Sequence, residues 1–185
     1  GPGAFSGSET IIDFQTIPAT TPPDGPFSIG IVTFSESSTG SGSPGWRLLT
    51  GGPLNGTRVL TDDAGISNIL LNFSSPQTRV GLEVGIGLAN FTVSFFDISS
   101  NLLGFVNGTA TNASNGFFAG WEDNVGISQV KVLETSGDNG RVGGIDNVRF
   151  ENVSSTGAVP EPWSLMVWVG LIAATIISSR KPTRS

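Results

Sequence analysis

Short apolar runs, each cut off by Gly, Ser, Thr, Asn or Pro before it reaches helical length, constrain this chain most. Residues 10–14, 27–34, 69–73, 80–86, 91–97, 102–106, 117–121, 127–133 and 144–150 read as strands, with shorter candidates at 46–49 and 58–60. Turn residues fall between them: four prolines in 18–26, a Ser/Gly-rich stretch at 36–45, and Pro76 after the run ILLNF. Residues 87–90 read as the turn of a hairpin joining 80–86 to 91–97. Within FTVSFFD the period of two puts Phe91, Val93 and Phe95 on one face, the core face. No segment up to residue 158 shows the 3.6-residue period of an amphipathic helix. Nine or ten strands at fairly regular spacing predict an all-β sandwich, jelly-roll-like in type, over residues 1–153.

Composition removes several chemistries. Cys, His and Tyr are absent, which excludes disulfides, thiol chemistry, His-based acid–base catalysis and His-ligated metals. Up to residue 158 there are 14 acidic and 6 basic residues, a net of −8; three cations and one Glu beyond it return the whole-chain −6. An acidic domain argues against a nucleic-acid partner, which needs a basic surface. Catalysis by a carboxylate pair is not expected. Asp62–Asp63 and Glu122–Asp123 are sequence neighbours, and neighbours on a strand point to opposite faces, whereas glycosidases need two acids facing across a cleft.

The last 32 residues read differently. Residues 154–158 are a short polar linker, followed by Val159-Pro160-Glu161-Pro162, an uncharged run from Trp163 to Ser179, and Arg180, Lys181 and Arg184. Seventeen residues of helix span roughly 26 Å, at the short end of what crosses a bilayer core of about 30 Å. The cations just after the run place the C-terminus in the cytoplasm and the rest of the chain outside. Pro160 and Pro162 remove two backbone donors and keep the peptide before the run extended, the form a protease or transpeptidase cleft takes. The residues alone leave open a permanent single-pass anchor. The chain begins Gly1-Pro2 without Met, and a signal peptide cleaved from, or lying outside, this sequence is expected for such an exported chain.

This order of Pro-Glu-Pro, apolar helix and basic end closely resembles the PEP-CTERM sorting signal of Gram-negative bacteria. The resemblance implies recognition of Pro160, Glu161 and Pro162 by a membrane exosortase, removal of helix and tail, transient residence in the inner membrane, and delivery to the cell surface or a polysaccharide biofilm matrix.

The outer domain resembles bacterial surface jelly rolls similar to carbohydrate-binding modules. The resemblance rests on Ser8–Phe14, on Asn90–Asp97 with Leu103-Gly104, and on Gly144–Phe150 (GIDNVRF). It implies that first and last strands lie together and hold a structural calcium at Glu9 and Asp146, whose carboxylates suit an ion with six to eight oxygen ligands. The alternative is that Asp146 bonds backbone amides. Asp138-Asn139-Gly140 lacks the full ligand spacing of a calcium loop and reads as a turn. Trp46 and Trp121, with Phe117 and Phe118, are candidates for a sugar-stacking platform or for core packing. Asn-x-Ser/Thr occurs six times, at Asn55, Asn72, Asn90, Asn107, Asn112 and Asn152, and reads as Asn-rich turns beside Thr/Ser-rich strands. The expectation is a non-enzymatic, exported structural or binding protein, with exopolysaccharide recognition as the alternative and an envelope hydrolase ranked behind both.

Overall fold

The computed structural model describes residues 5, 7–15, 17, 25–38, 46–49, 58–62, 67–85, 89–111, 116–136 and 143–152. Within them lie ten strands and no helix: β1 (Thr10–Ile12), β2 (Phe27–Ile29), β3 (Val32–Ser38), β4 (Trp46–Leu49), β5 (Val59–Asp62), β6 (Ser67–Val84), β7 (Ala89–Phe96), β8 (Leu102–Ala110), β9 (Phe117–Ser136) and β10 (Gly144–Glu151). The all-β expectation holds among the described residues, and Gly1–Asn152 form one compact unit. The expected sorting motif, with the apolar run, the basic tail, Asp63 and Asp138 to Gly140, lies outside the described residues.

Two strands shape the molecule. β6 has 18 residues and β9 has 20, and each belongs to both layers of a sandwich. The second half of β6 pairs with the first half of β9, from Arg79↔Glu122 to Val84↔Phe117; the first half of β6 pairs with the second half of β9, from Asn68↔Leu133 to Asn72↔Gln129. Between these ladders the register shifts twice, on either side of Gln77. Pro76, expected in a turn between strands, sits at this break, where its missing N–H is not needed for a regular ladder. Gly126 lies beside it at φ +95°, and a Cβ there would stand 2.8 Å from the Pro76 Cβ. Proline and glycine therefore bend two paired strands together instead of ending them.

The first layer runs β4–β5–β10–β6–β9, with β1 on β10; the second runs β2–β3–β6–β9–β7–β8. First and last strands do lie together, with Thr10 opposite Phe150 and Ile12 opposite Val148. The expected hairpin between residues 80–86 and 91–97 is not formed, because β9 lies between β6 and β7. Residues 27–34, expected as one strand, fold into the β2–β3 hairpin around Gly30 at φ +57°, and β3 continues through residues 36–38, expected as loop.

Alternation then fills the interior. Val80, Leu82 and Val84 of the first layer and Phe91, Val93 and Phe95 of the second are buried. The expected core face of β7 is therefore correct. Aromatic contacts tie the layers: Phe95 stacks on Trp121 at 6.0 Å, and Phe27 of β2 meets Trp46 of β4 edge-on at 5.5 Å. The β7–β8 connection is held locally. The Asp97 carboxylate accepts the N–H groups of Ser99 and Asn101 and the Asn101 side-chain amide, all at 2.8 Å. These bonds, that of the Asn101 side chain first, hold its carboxyl below the usual range, and Ser100 takes the left-handed conformation at φ 63°.

Candidate functional site

The two outer faces of the sandwich differ in chemistry. On the first layer, outward side chains form a charged array across β6, β9 and β10 and the residue just before β1. Arg79 of β6 reaches Glu151 of β10 at 2.7 Å and Glu122 of β9 at 2.9 Å, and Arg149 of β10 meets Glu9 at 3.3 Å. The bonds to Glu122 and then Glu151 raise the Arg79 pKa, so this guanidinium stays charged. Phe118 lies across the bare backbone of Gly81 and Gly120, with Phe5 edge-on at 6.2 Å. The cleft beside these rings is only about 70 Å³.

The outer face of the second layer is nearly free of charge. Its outward strand residues include Ser28, Thr33, Ser35, Leu70, Asn72, Gln129, Lys131, Leu133, Asn90, Thr92, Ser94, Phe105, Asn107 and Thr109, and Lys131 is the one charge among those described. Two of the Asn-x-Thr triplets meet here head to tail. Asn90-Phe91-Thr92 on β7 pairs with Asn107-Gly108-Thr109 on β8, so that Asn90 faces Thr109 and Thr92 faces Asn107. Each Thr hydroxyl donates to the Asn side-chain oxygen opposite, at 2.7 and 2.8 Å. With Thr135 these residues line a groove of about 320 Å³. Phe105, two residues along the same face, is 54% exposed. Towards the other edge, the Gln129 amide donates to Asn72 at 2.7 Å. Repeated Asn-x-Thr was legible in the sequence; that two copies pair was not, because β7 and β8 had to be put in register first.

Most residues singled out from sequence lie elsewhere. Trp46 is 1% exposed and its Nε1 donates to the Gly25 carbonyl at 3.0 Å, so it packs in the core and offers no face to a sugar. Trp121 is half-buried, with its indole flat on Phe95 and over Gly104. The two tryptophans stand four strands apart in the first layer, about 19 Å. Phe117 turns inward onto Gly108 and Phe91 while Phe118 turns outward, so the expected aromatic platform is not assembled.

Glu9 and Asp146 are not brought together either. Thr10 pairs with Phe150, four residues beyond Asp146, and Glu9 is one residue further on. Five strand positions amount to about 16 Å, far beyond what two ligands of one ion with bonds of about 2.5 Å can bridge. A calcium held jointly by Glu9 and Asp146 does not fit this arrangement. Asp146 is fully buried, stands opposite Glu83 on β6, and accepts the Asn147 N–H at 2.8 Å. Glu122 is tied to Arg79, and Asp123 accepts the Val125 amide at 2.8 Å. The side chain of Asp62 lies outside the described residues.

No family model matches the sequence, and no curated protein does. Among solved structures the chain is similar to the K2 cleaved adhesin domain of Lys-gingipain, with a TM-score of 0.51 at 11% identity over 77% of this chain and 99% of that one. The fold is shared with an adhesin domain. A family 29 carbohydrate binding module (TM-score 0.45, 9% identity, 77% of this chain, 87% of that one) and a family 6 carbohydrate-binding module (0.40, 13%, 77% and 93%) are also similar. At 11% identity the adhesin likeness concerns the path of the backbone, not the side chains on it. The Asn–Thr groove therefore stands on this chain's own residues.

Proposed function

We propose that this chain is an exported, non-catalytic β-sandwich that is sorted by an exosortase and binds polysaccharide through the outer face of its second layer. The observation that carries the binding role is the groove formed by Asn90, Thr92, Asn107 and Thr109 beside the exposed ring of Phe105. A sugar presents hydroxyls at its rim and C–H groups on its faces. Amide and hydroxyl side chains supply donors and acceptors for the rim, and an aromatic ring supplies a flat apolar partner for the face. The scarcity of charge suits a neutral chain, and an open groove suits binding within a polymer. Interactions of this kind give dissociation constants of about micromolar to millimolar, or roughly −8 to −4 kcal/mol. Affinity electrophoresis in gels cast with the host exopolysaccharide is the test. Wild type is expected to be retarded, and Phe105→Ala and Asn107→Ala to migrate freely while unfolding at nearly the wild-type temperature, since both side chains point to solvent. Unretarded wild type would remove the binding role.

The sorting role rests on the sequence order alone: Val159-Pro160-Glu161-Pro162, the uncharged run, and Arg180, Lys181 and Arg184. Intact mass of the protein from the host envelope is expected to show a chain ending near residues 159–162, and Glu161→Ala to retain residues through Ser185. If wild type also keeps Ser185, the apolar run is a permanent anchor.

A further inference from the structure

Five edges end the layers among the described residues: β1 and β2 have three residues each, β4 has four, and the first half of β9, which pairs there with β6 alone, carries the charges of Glu122 and Asp123. The fifth, β8, has nine residues and among the described residues pairs on one side only, with β7. Its ladder is regular from Gly104 to Ala110, about 20 Å; the single register shift falls at its start, between the Phe95 and Phe96 pairs. The turn that delivers it is fixed by the Asp97 bonds described above. A long, flat, unpaired edge exposes a row of N–H and C=O groups, and natural sheets guard such edges with charge, proline, bulges or shortness. β8, reading LLGFVNGTA, has no charge and no proline, and both Leu102 and Phe105 are 54% exposed.

We propose that this edge is an interaction surface for a second copy of the same chain, β8 pairing antiparallel with β8 across a two-fold axis. Charge decides the occupant. The outer domain is acidic, −8 up to residue 158, so two copies meeting at most places bring carboxylates together. Along β8 and the outward residues of β7 beside it, Asn90, Thr92 and Ser94, there is no charge to repel. A two-fold uses one patch twice, so an uncharged edge is its own complement. The resulting sheet would continue through both molecules and set two Asn–Thr grooves side by side on one face. A contact of one strand edge is small, so the pair forms at high local concentration, as in a matrix.

The absence of cysteine makes the test clean, because any disulfide reports an introduced residue. Phe105→Cys, Asn107→Cys and Thr109→Cys place single thiols on the outer face of β8, and Ser28→Cys places one on the opposite edge strand. The full chain in detergent is oxidised mildly and run on non-reducing gels, with circular dichroism confirming the β signature of each variant. Moving two residues from the axis separates like residues by about 14 Å, against a Cα–Cα limit of about 7 Å for a disulfide. Covalent dimer is therefore expected at one of the three positions, or at two adjacent ones, and not at the rest or at Ser28→Cys. No dimer at any β8 position, equal yield at all three, or equal yield at Ser28→Cys would each overturn the proposal. Because the thiols are read without any glycan, failure here leaves polysaccharide binding standing, and failure of binding leaves the dimer standing.

Discussion

Trp46→Ala is expected to lower the unfolding free energy by about 3–5 kcal/mol, the range for emptying a buried large aromatic site. Trp46 joins one end of the sandwich through a run of rings. It meets Phe27 edge-on at 5.5 Å, Phe27 stacks on Phe34 at 5.2 Å, and Phe34 meets Phe14 at 5.7 Å. These residues come from β4, β2, β3 and the segment after β1, so one indole closes the first layer against the second. Truncation opens a cavity that backbone on both sides cannot fill without breaking ladders, and it leaves the Gly25 carbonyl without the indole N–H. Domains of this size are stable by only about 5–15 kcal/mol, so the loss is a large share of the total. Urea unfolding at constant m-value checks it. Trp46→Phe, which keeps a ring and loses the donor, is expected to fall between wild type and alanine. If the alanine variant unfolds at the wild-type midpoint, the indole is not the closing element placed here. The folded fraction of either variant is expected to keep its polysaccharide retardation, which separates a core role for Trp46 from a sugar-contacting one.

Strand positions were legible in the sequence because each apolar run is bounded by turn residues and carries its own alternation. Phe91, Val93 and Phe95 needed nothing beyond the period of two. What local pattern could not carry was which strand lies beside which. Residues 80–86 and 91–97 have the form of a hairpin, yet β9 enters between them, its 20 residues pairing with β6 on one side and with β7 on the other. Pro76 and Gly126 carry the same ambiguity: each is turn punctuation in the sequence and a bend in a continuous strand in the fold. The two tryptophans read as platform or core until the facing layer was known. The first and last strands pair as the carbohydrate-module resemblance implies, but Glu9, just before β1, and Asp146 of β10 stand at registers too far apart for one ion. The groove was half legible. Asn90-Phe91-Thr92 and Asn107-Gly108-Thr109 were visible as two of six Asn-x-Ser/Thr triplets read as Asn-rich turns; they lie instead within strands, and only the β7–β8 register turns them into two crossed Asn–Thr pairs.

Gly104→Ala is expected to cost about 3 kcal/mol, at the upper end of the range for overpacking a well-filled core. A Cβ at Gly104 would stand 2.1 Å from Cζ2 and 2.3 Å from Cη2 of Trp121, distances no side chain tolerates. Any shift of the indole disturbs its stack on Phe95, itself fully buried. The strand cannot step aside, because Gly104 is paired with Phe95 in the β7–β8 ladder. Alanine gains something over glycine in the strand by restricting the unfolded chain, but only about 0.4–1 kcal/mol. The origin of the loss can be isolated by a double-mutant cycle. Trp121→Leu alone is expected to destabilise, because a large half-buried ring is truncated. Added to Trp121→Leu, however, Gly104→Ala is expected to cost less than about 1 kcal/mol, a coupling of roughly 2 kcal/mol between residues in direct contact. Strict additivity would mean that the methyl group meets some other obstacle. The expected coupling would establish that a bare backbone at residue 104 exists to seat an indole from the opposite layer, which fixes the spacing of the two layers beneath the β7–β8 groove.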